Sequence, residues 1–170
     1  MSSPDDGFTE FVEHSWPGLY RTAYLLVGER DLAEDLVQTA LAKTFVSWGR
    51  VRDRAAAGVY ARTVLVNTAS SWFRRRAWSR EIASASLPDE PFQSEQDDRP
   101  TLVAALRTLP PRQRAVVVLR FFDDLSVQQT ADALRISTGT VKSQTTHALN
   151  KLRVALGDAF VPVTDGARHD

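Results

Sequence analysis

The chain has 170 residues, with 21 lysines and arginines against 21 aspartates and glutamates, 43% hydrophobic content and no cysteine. That length suits one domain or two small ones with compact cores, and the lack of cysteine excludes disulfides and thiolate metal sites. No apolar run approaches the roughly 18 residues of a membrane span, and the opening MSSPDDG lacks the basic region of a signal peptide, so a cytoplasmic protein without membrane insertion is expected.

Helical periodicity runs through the first half. From about Phe8 to Val27, apolar residues recur at Phe8, Phe11, Val12, Leu19, Ala23, Leu26 and Val27, with Pro17 expected to force a break or a fresh helix start after Trp16. A second helix is expected from Asp31 to Trp48, with Asp31 and Glu34 as an acidic capping box. Ala33, Leu36, Val37, Ala40, Leu41, Thr44 and Trp48 line one face, and Gly49 stands just past the end. Glu34, Asp35, Gln38 and Thr39 are left on the outer surface. A third helix, about Ala57 to Trp78, begins with the apolar YARTVLVNTA and ends in WFRRRAW, a cluster of Trp72, Phe73, Arg74, Arg75, Arg76 and Trp78. Arginines neutralise phosphates, and exposed aromatics stack on unpaired bases for about 1–3 kcal/mol each. The competing reading puts Trp72 and Phe73 in the core and the arginines on a solvated helix end. Trp16 and Trp48 are read as core.

The zero net charge conceals a partition. Residues 1–80 carry a balance of +2, residues 81–100 −5, residues 101–156 +5 and residues 157–170 −2. Two basic-leaning blocks flank an acidic strip, EIASASLPDEPFQSEQDDRP, whose prolines, serines and weak periodicity predict a flexible linker.

After the strip, Pro111 suits the first position of a helix whose buried side is Val116, Val117, Leu119 and Phe122. From Leu125 to Leu156 the sequence has the spacing of a helix-turn-helix. Ser126 and Gln129 form a capping box, and Val127, Thr130, Ala131 and Leu134 share one face. Ile136 plugs the turn, while Ser137 and Thr138 offer N-cap oxygens. In the second helix Val141, Thr145, Ala148 and Leu152 face inward. Thr140, Ser143, Gln144 and His147 gather roughly 120° away, where a recognition helix meets base edges. A helical hairpin with a solvated polar face is the bland alternative.

The succession of DLAEDLVQTAL, YARTVLVNTASSWFRRR, an acidic linker and LRTLPPRQRAVVVLRFFDDLSVQQTADALRISTGTVKSQTTHALNKLR resembles a bacterial RNA polymerase sigma factor of the extracytoplasmic-function (ECF) group of the sigma-70 family, over about residues 8 to 156. The resemblance implies an all-α protein of two small helical domains joined by a flexible linker: sigma domain 2 in 1–80, the linker in 81–100, sigma domain 4 with its helix-turn-helix in 101–156, and a polar tail in 157–170. It implies promoter recognition and transcription initiation, with core RNA polymerase (clamp helices and flap) and promoter DNA as partners and an anti-sigma factor as a further one. Glu34, Asp35, Gln38 and Thr39 would grip the clamp helices. The loop Arg50 to Gly58, with Arg50, Arg52 and Arg54, would capture a flipped-out −10 base that Asn67 helps to read. Trp72 belongs to the same −10 surface, where Arg62, Arg74, Arg75 and Arg76 would hold phosphates. Extruding a base costs a few kcal/mol, which a preformed pocket must offset. At the −35 element, Arg112, Arg114 and Lys142 would meet phosphates beside Thr138, Thr140, Ser143, Gln144, His147 and Lys151. The linker would thread toward the active-site cleft and RNA exit path.

Three departures from the family pattern matter. Arg135 stands where the turn commonly has glycine, at about 1 kcal/mol if left-handed. Where relatives often have GTVKSRLHRAR, this chain has Gln144, His147 and Leu149, predicting weaker −35 binding, a gentler salt dependence and an adenine rather than guanine preference at Gln144. Tyr60-Ala61 replaces a frequent Trp-Leu. There is no phosphate-binding glycine loop and no HExxH, and His14, His147 and His169 lie on separate segments, so no catalysis, metal or cofactor is expected. The competing function is a stand-alone helix-turn-helix transcriptional regulator with a helical dimerisation or sensor domain. The tail from Gly157 is expected to fray.

Overall fold

The computed structural model describes residues 4–84 and 101–157, with side chains placed from 7 to 77 and from 102 to 157. Every regular element among them is helical: α1 (Pro4–Val27), α2 (Arg30–Ser47), a short 3₁₀ turn (Trp48–Arg50), α3 (Arg54–Ser84), α4 (Thr101–Arg107), α5 (Pro111–Val117) running into a π turn (Val118–Phe122), α6 (Val127–Leu134) and α7 (Thr138–Leu156). α3 continues to Ser84, past residue 81 where the linker is expected to start; the rest of 81–100 and nearly all of the tail lie outside the described residues.

Helices α1, α2 and α3 pack on one another, and α7 is crossed by α4, α5 and α6. The two groups then share a core. Leu19, Leu26, Leu36 and Leu65 from the first belong to the same buried cluster as Leu106, Leu109, Leu119 and Leu152 from the second. Each such side chain contributes about 1.5–3 kcal/mol on burial, so the pairing of the halves rests on apolar contact as well as on polar bonds. A second, smaller cluster, Val116, Val127, Ala131 and Val141 with Ile136 and Leu134 against it, is the helix-turn-helix's own core. The expectation of two small domains therefore meets a structure in which six consecutive residues, Arg114 to Leu119, are buried, because α5 lies between the halves.

Pro17 does not break α1. The ring removes one donor and crowds the carbonyl four residues back, a cost of about 3 kcal/mol. Burial of Leu19, Ala23 and Leu26 beyond it, and packing of Phe8, Phe11 and Trp16 before it, hold both halves of the helix to one core. The capping box expected at Asp31 and Glu34 is also absent. α2 starts at Arg30 with Glu29 as an N-cap making no side-chain bond, and Asp31 lies in the first turn, where the helix dipole favours a carboxylate. Gly28, after α1, has positive φ (+75°), whereas Gly49 does not. A Cβ on Gly28 would come 2.9 Å from Arg107 Nε, so both the backbone and the neighbour require glycine. At the other end of α2, the rings of Phe8, Phe11, Phe45 and Trp48 meet at centroid distances of 4.9 to 6.1 Å and pin the start of α1. Trp48 is core as expected; Trp16 is half-buried against it.

Candidate nucleic-acid interface

The helix-turn-helix forms from the signals in its sequence. Ser126 Oγ accepts from the Gln129 N–H at 3.0 Å while Gln129 Oε1 accepts from the Ser126 N–H at 2.9 Å, closing the capping box. Arg135 then adopts the left-handed conformation (φ 55°, ψ 46°) that glycine usually supplies, and the Ile136 N–H returns to the Ala131 carbonyl at 3.0 Å. Ser137 caps α7 by accepting from the Thr140 N–H at 3.0 Å. Val141, Ala148 and Leu152 are buried as expected, and half-buried Thr145 turns its hydroxyl to the Val141 carbonyl.

The outward face of α7 is sorted more finely than its periodicity suggests. Lys142, Ser143, His147 and Lys151 are exposed, while Thr138, Thr140 and Gln144 are half-exposed. Thr140 is tied into the cap, its hydroxyl 2.8 Å from Ser137 Oγ, and the Ser143 hydroxyl donates to the Thr140 carbonyl at 3.1 Å. Lys142, Gln144, His147 and Lys151 are thus the longer side chains at the recognition face.

The expected base-capturing loop is shorter than Arg50 to Gly58, because α3 begins at Arg54. Asp53 caps it locally, its Oδ1 accepting from the Ala55 N–H at 2.9 Å. A cavity of about 420 Å³ opens there, lined by Ser47, Arg50, Val51, Arg52, Asp53, Ala56 and Tyr60. Arg54 is not in its lining: its guanidinium lies 4.7 Å from the Trp48 ring centroid. Asn67 is not in it either. It lines a second cavity of about 530 Å³ between the halves, with Ser70, Phe73 and Arg74 from α3 and Pro111, Arg112, Ala115, Leu134 and Arg135 opposite. Arg74, Arg75 and Arg76 are exposed, whereas Trp72 and Phe73 are half-buried against the core, which favours the core reading of these two aromatics. The Trp78 side chain lies outside the described ones.

Arg114 requires a correction. Expected to meet phosphate, it is 8% exposed. Nε donates to the Leu106 carbonyl at 2.9 Å, Nη1 to that of Leu26 at 2.6 Å, and Nη2 to that of Leu109 at 3.0 Å; the Phe73 ring centroid is 5.4 Å away. Burial first, and then the nearby Arg107, lower its pKa from the ordinary arginine value. Leu106 and Leu109 lie in the same half of the chain, so the side chain is a staple within it as well as a bridge to α1. Arg112, two residues earlier, is exposed.

Arg62 is likewise engaged from across the interface. Its Nε lies 3.7 Å from Asp123 Oδ1, and its guanidinium runs past Gly18 and Gly58, where a Cβ would meet it at 3.6 and 3.4 Å. The Thr22 hydroxyl contacts both Asp123 oxygens, at 2.8 and 3.0 Å. Asp123 ends the π turn, with Asp124 in a left-handed conformation (φ 53°) next to it. Burial pushes the Asp123 carboxyl above the ordinary carboxylate range and Asp124 adds to this, while Thr22, Arg62 and Arg21 pull it down. Glu29 pairs with Arg107 at 3.3 Å, and Arg21 donates to the Phe122 carbonyl at 3.3 Å. Sequence reading missed Asp123, Thr22 and Glu29, since their partners across the interface, such as Arg107 for Glu29 and Thr22 for Asp123, lie 78 and 101 residues away and carry no local pattern.

On α2, Glu34, Asp35 and Gln38 are exposed and Thr39 is half-buried, which leaves an acidic outer strip on this helix. Among the described residues there is no His, Cys, Asp or Glu group arranged for a metal ion, and no helix long and apolar enough to cross a membrane.

An all-helical chain with an acidic helix face, an arginine-rich third helix and a capped helix-turn-helix has the parts of a DNA-directed transcription protein. Residues 11–79 match Sigma-70 region 2 and residues 105–154 match Sigma-70 region 4. The RNA polymerase sigma-E factor of Streptomyces coelicolor is 40% identical over 152 residues, covering 88% of this chain and 85% of that one; the Bacillus subtilis sigma factor SigV is 30% identical, covering 81% and 83%. The sigma factor RpoE of Bartonella quintana, solved with the anti-sigma factor NepR, superposes with a TM-score of 0.72 at 26% identity, covering 88% of this chain and 96% of that one. CnrH, solved with the cytosolic domain of CnrY, shares the fold at TM-score 0.62 and 20% identity. The chain belongs to the sigma-70 family, as an RNA polymerase sigma factor of the ECF group. It acts with core RNA polymerase on promoter DNA, directing promoter recognition and transcription initiation.

Proposed function

We propose that this sigma factor divides promoter reading between its halves, with domain 2 in 1–80, a linker in 81–100 and domain 4 in 101–156. The exposed Glu34, Asp35 and Gln38, with Thr39, hold the polymerase clamp helices. Arg50 and Arg52, at the 420 Å³ cavity with Tyr60, receive a −10 base, and Arg74, Arg75 and Arg76 follow the opened strand. Lys142, Gln144, His147 and Lys151 meet the −35 element, with Arg112 on a phosphate; Thr138, Thr140 and Ser143 flank them. The observation that carries this reading is α7 itself: three inward positions are buried, and Lys142, Gln144, His147 and Lys151 project outward along its first four turns.

The work is done in the cytoplasm, without a reaction of the chain's own. Because the Bartonella quintana relative was solved bound to an anti-sigma factor, we extend that kind of partner to this chain. The test is selection of promoters from random DNA by holoenzyme reconstituted from the chain and core polymerase. Recovery of one paired −10 and −35 sequence with transcripts starting downstream is the expected result. Tight duplex binding by the chain alone, with no polymerase association, would overturn it in favour of a stand-alone regulator.

A further inference from the structure

The arginines around the meeting of the halves are of two kinds. Most are matched: Arg62 with Asp123, Arg107 with Glu29, Arg21 with the Phe122 carbonyl, and Arg114 with three carbonyls. Arg74, Arg112 and Arg135 are not. They come from α3, α5 and the turn after α6 to line one cavity of about 530 Å³ that has no carboxylate in its lining. Among the described residues their guanidiniums make no hydrogen bond or ion pair. Three like charges around one concave space repel one another, and a compact polyanion placed there removes the repulsion while giving each guanidinium a partner.

Arg135 supplies a second, independent observation. Its backbone is left-handed (φ 55°, ψ 46°), a conformation that glycine takes without strain. The chain carries an arginine there at an energetic cost, and strained positions of this kind cluster where a side chain has a binding task. The turn itself is firmly closed, the Ile136 N–H donating to the Ala131 carbonyl at 3.0 Å, so the guanidinium reaches out from a fixed backbone.

The rest of the lining selects among polyanions. Phe73 and Leu134 give the cavity an apolar wall, and Asn67 brings an amide with both donor and acceptor. The buried Arg114 guanidinium, 5.4 Å from the Phe73 ring centroid, steadies that ring. Bare phosphate would use the arginines and leave the wall and the amide idle. A nucleotide uses all of them, and guanidiniums fit phosphate oxygens bidentately. The volume falls in the range of small-molecule sites, about 300–1,000 Å³, which a duplex does not enter.

We infer that this cavity is a binding site for a nucleoside polyphosphate, with Arg74, Arg112 and Arg135 on its phosphates and Phe73, Leu134 and Asn67 around its base. The test needs neither polymerase nor promoter, so its outcome is separate from that of the promoter reading. The full chain is titrated by calorimetry with ATP, with GTP and with inorganic pyrophosphate, beside the variants Arg135→Gly and Arg153→Ala. Arg153 is exposed on α7 outside the cavity, so its loss removes the same charge from the chain. Arg135→Gly relieves backbone strain, and a thermal melt of each variant checks that the fold is kept. At least one of the two nucleotides should saturate the chain at a single site, with pyrophosphate weaker by at least about tenfold. Arg135→Gly should weaken that nucleotide by at least about tenfold, and Arg153→Ala should leave it unchanged. Equal affinity of Arg135→Gly and wild type, or an equal loss in Arg153→Ala, would reduce the binding to diffuse attraction and overturn the site. Pyrophosphate binding as tightly as either nucleotide would overturn the nucleoside assignment, and a titration without saturable binding would overturn the whole inference.

Discussion

Asp123, at the end of the π turn after α5, brings both carboxylate oxygens within hydrogen-bond distance of the single Thr22 hydroxyl in the middle of α1, at 2.8 and 3.0 Å, where they share its proton with the Gly18 carbonyl at 3.0 Å. One residue of each half thus meets in a buried polar contact, 101 positions apart in sequence. Thr22 is completely buried, and the Asp123 side chain has no exposed surface. The contact therefore ties the pairing of the halves to the ionisation of one carboxyl group.

The pH dependence follows from the direction of that ionisation. Burial first, with Asp124, raises the Asp123 pKa against the opposing Thr22, Arg62 and Arg21. The paired state then holds a proton more readily than the open or unfolded chain, so this group's contribution falls as pH rises from the ordinary carboxylate value toward the raised one. Asp123→Asn mimics the protonated form and removes the dependence. Thermal melts of both proteins at about pH 4.5 and about pH 7 should show the variant gaining on the wild type at the higher pH. The opposite trend would mean that attraction to Arg62 outweighs burial.

Arg114 gives a second prediction, on stability rather than DNA. Arg114→Met keeps much of the apolar stem but takes the guanidinium donors away from the carbonyls of Leu26, Leu106 and Leu109, of which Leu106 still accepts from the Leu109 N–H at 3.1 Å. Buried acceptors stripped of partners cost about 1–3 kcal/mol apiece at most, so a total loss of about 2–4 kcal/mol is expected after partial relaxation. That corresponds to a melting point lower by roughly 5–15 °C. The salt dependence of −35 binding should not change, whereas Arg112→Ala should lower its slope by about one. A reduced slope for the Arg114 variant would return that residue to the phosphate surface.

The contrast between Arg112 and Arg114 marks the limit of what the sequence discloses. Capping chemistry and helical periodicity are local, so the Ser126–Gln129 box, the Ser137 cap and the inward face at Val141, Ala148 and Leu152 could all be read directly. The failures are tertiary. Two arginines in PRQR look alike as charge, and only the carbonyls of Leu26, Leu106 and Leu109, brought together by the fold, distinguish the buried one. Pro17 argues locally for a break, and the shared core overrides it. Asn67 and the loop cavity lie close in sequence, yet α3 carries the side chain to a different face.

The turn of the helix-turn-helix offers a stabilising change. Arg135 has φ 55°, a conformation that costs a side-chain-bearing residue about 1 kcal/mol and glycine almost nothing. Arg135→Gly should therefore raise stability by up to about 1 kcal/mol, or 2–4 °C. It also removes one of three arginines from the interdomain cleft, so the gain should persist and grow at low salt, where their mutual repulsion is least screened. Loss of stability would show that the Arg135 side chain makes contacts worth more than its strain.

Base preference at the −35 element turns on Gln144, which projects half-exposed from the second turn of α7 beside exposed Lys142 and His147. A glutamine amide pairs bidentately with adenine N6 and N7, whereas a guanidinium fits guanine O6 and N7. Gln144→Arg should shift the preferred base at one −35 position from adenine to guanine by about 1–3 kcal/mol, and the added cation should steepen the salt dependence by about one. Selection of promoters by wild-type and variant holoenzymes separates the two effects. A changed slope with an unchanged −35 sequence would make residue 144 a phosphate contact, and neither change would remove it from the interface. Val141, Ala148 and Leu152 anchor the helix on its opposite side, so the substitution leaves the fold intact, and the measured shift reports recognition alone.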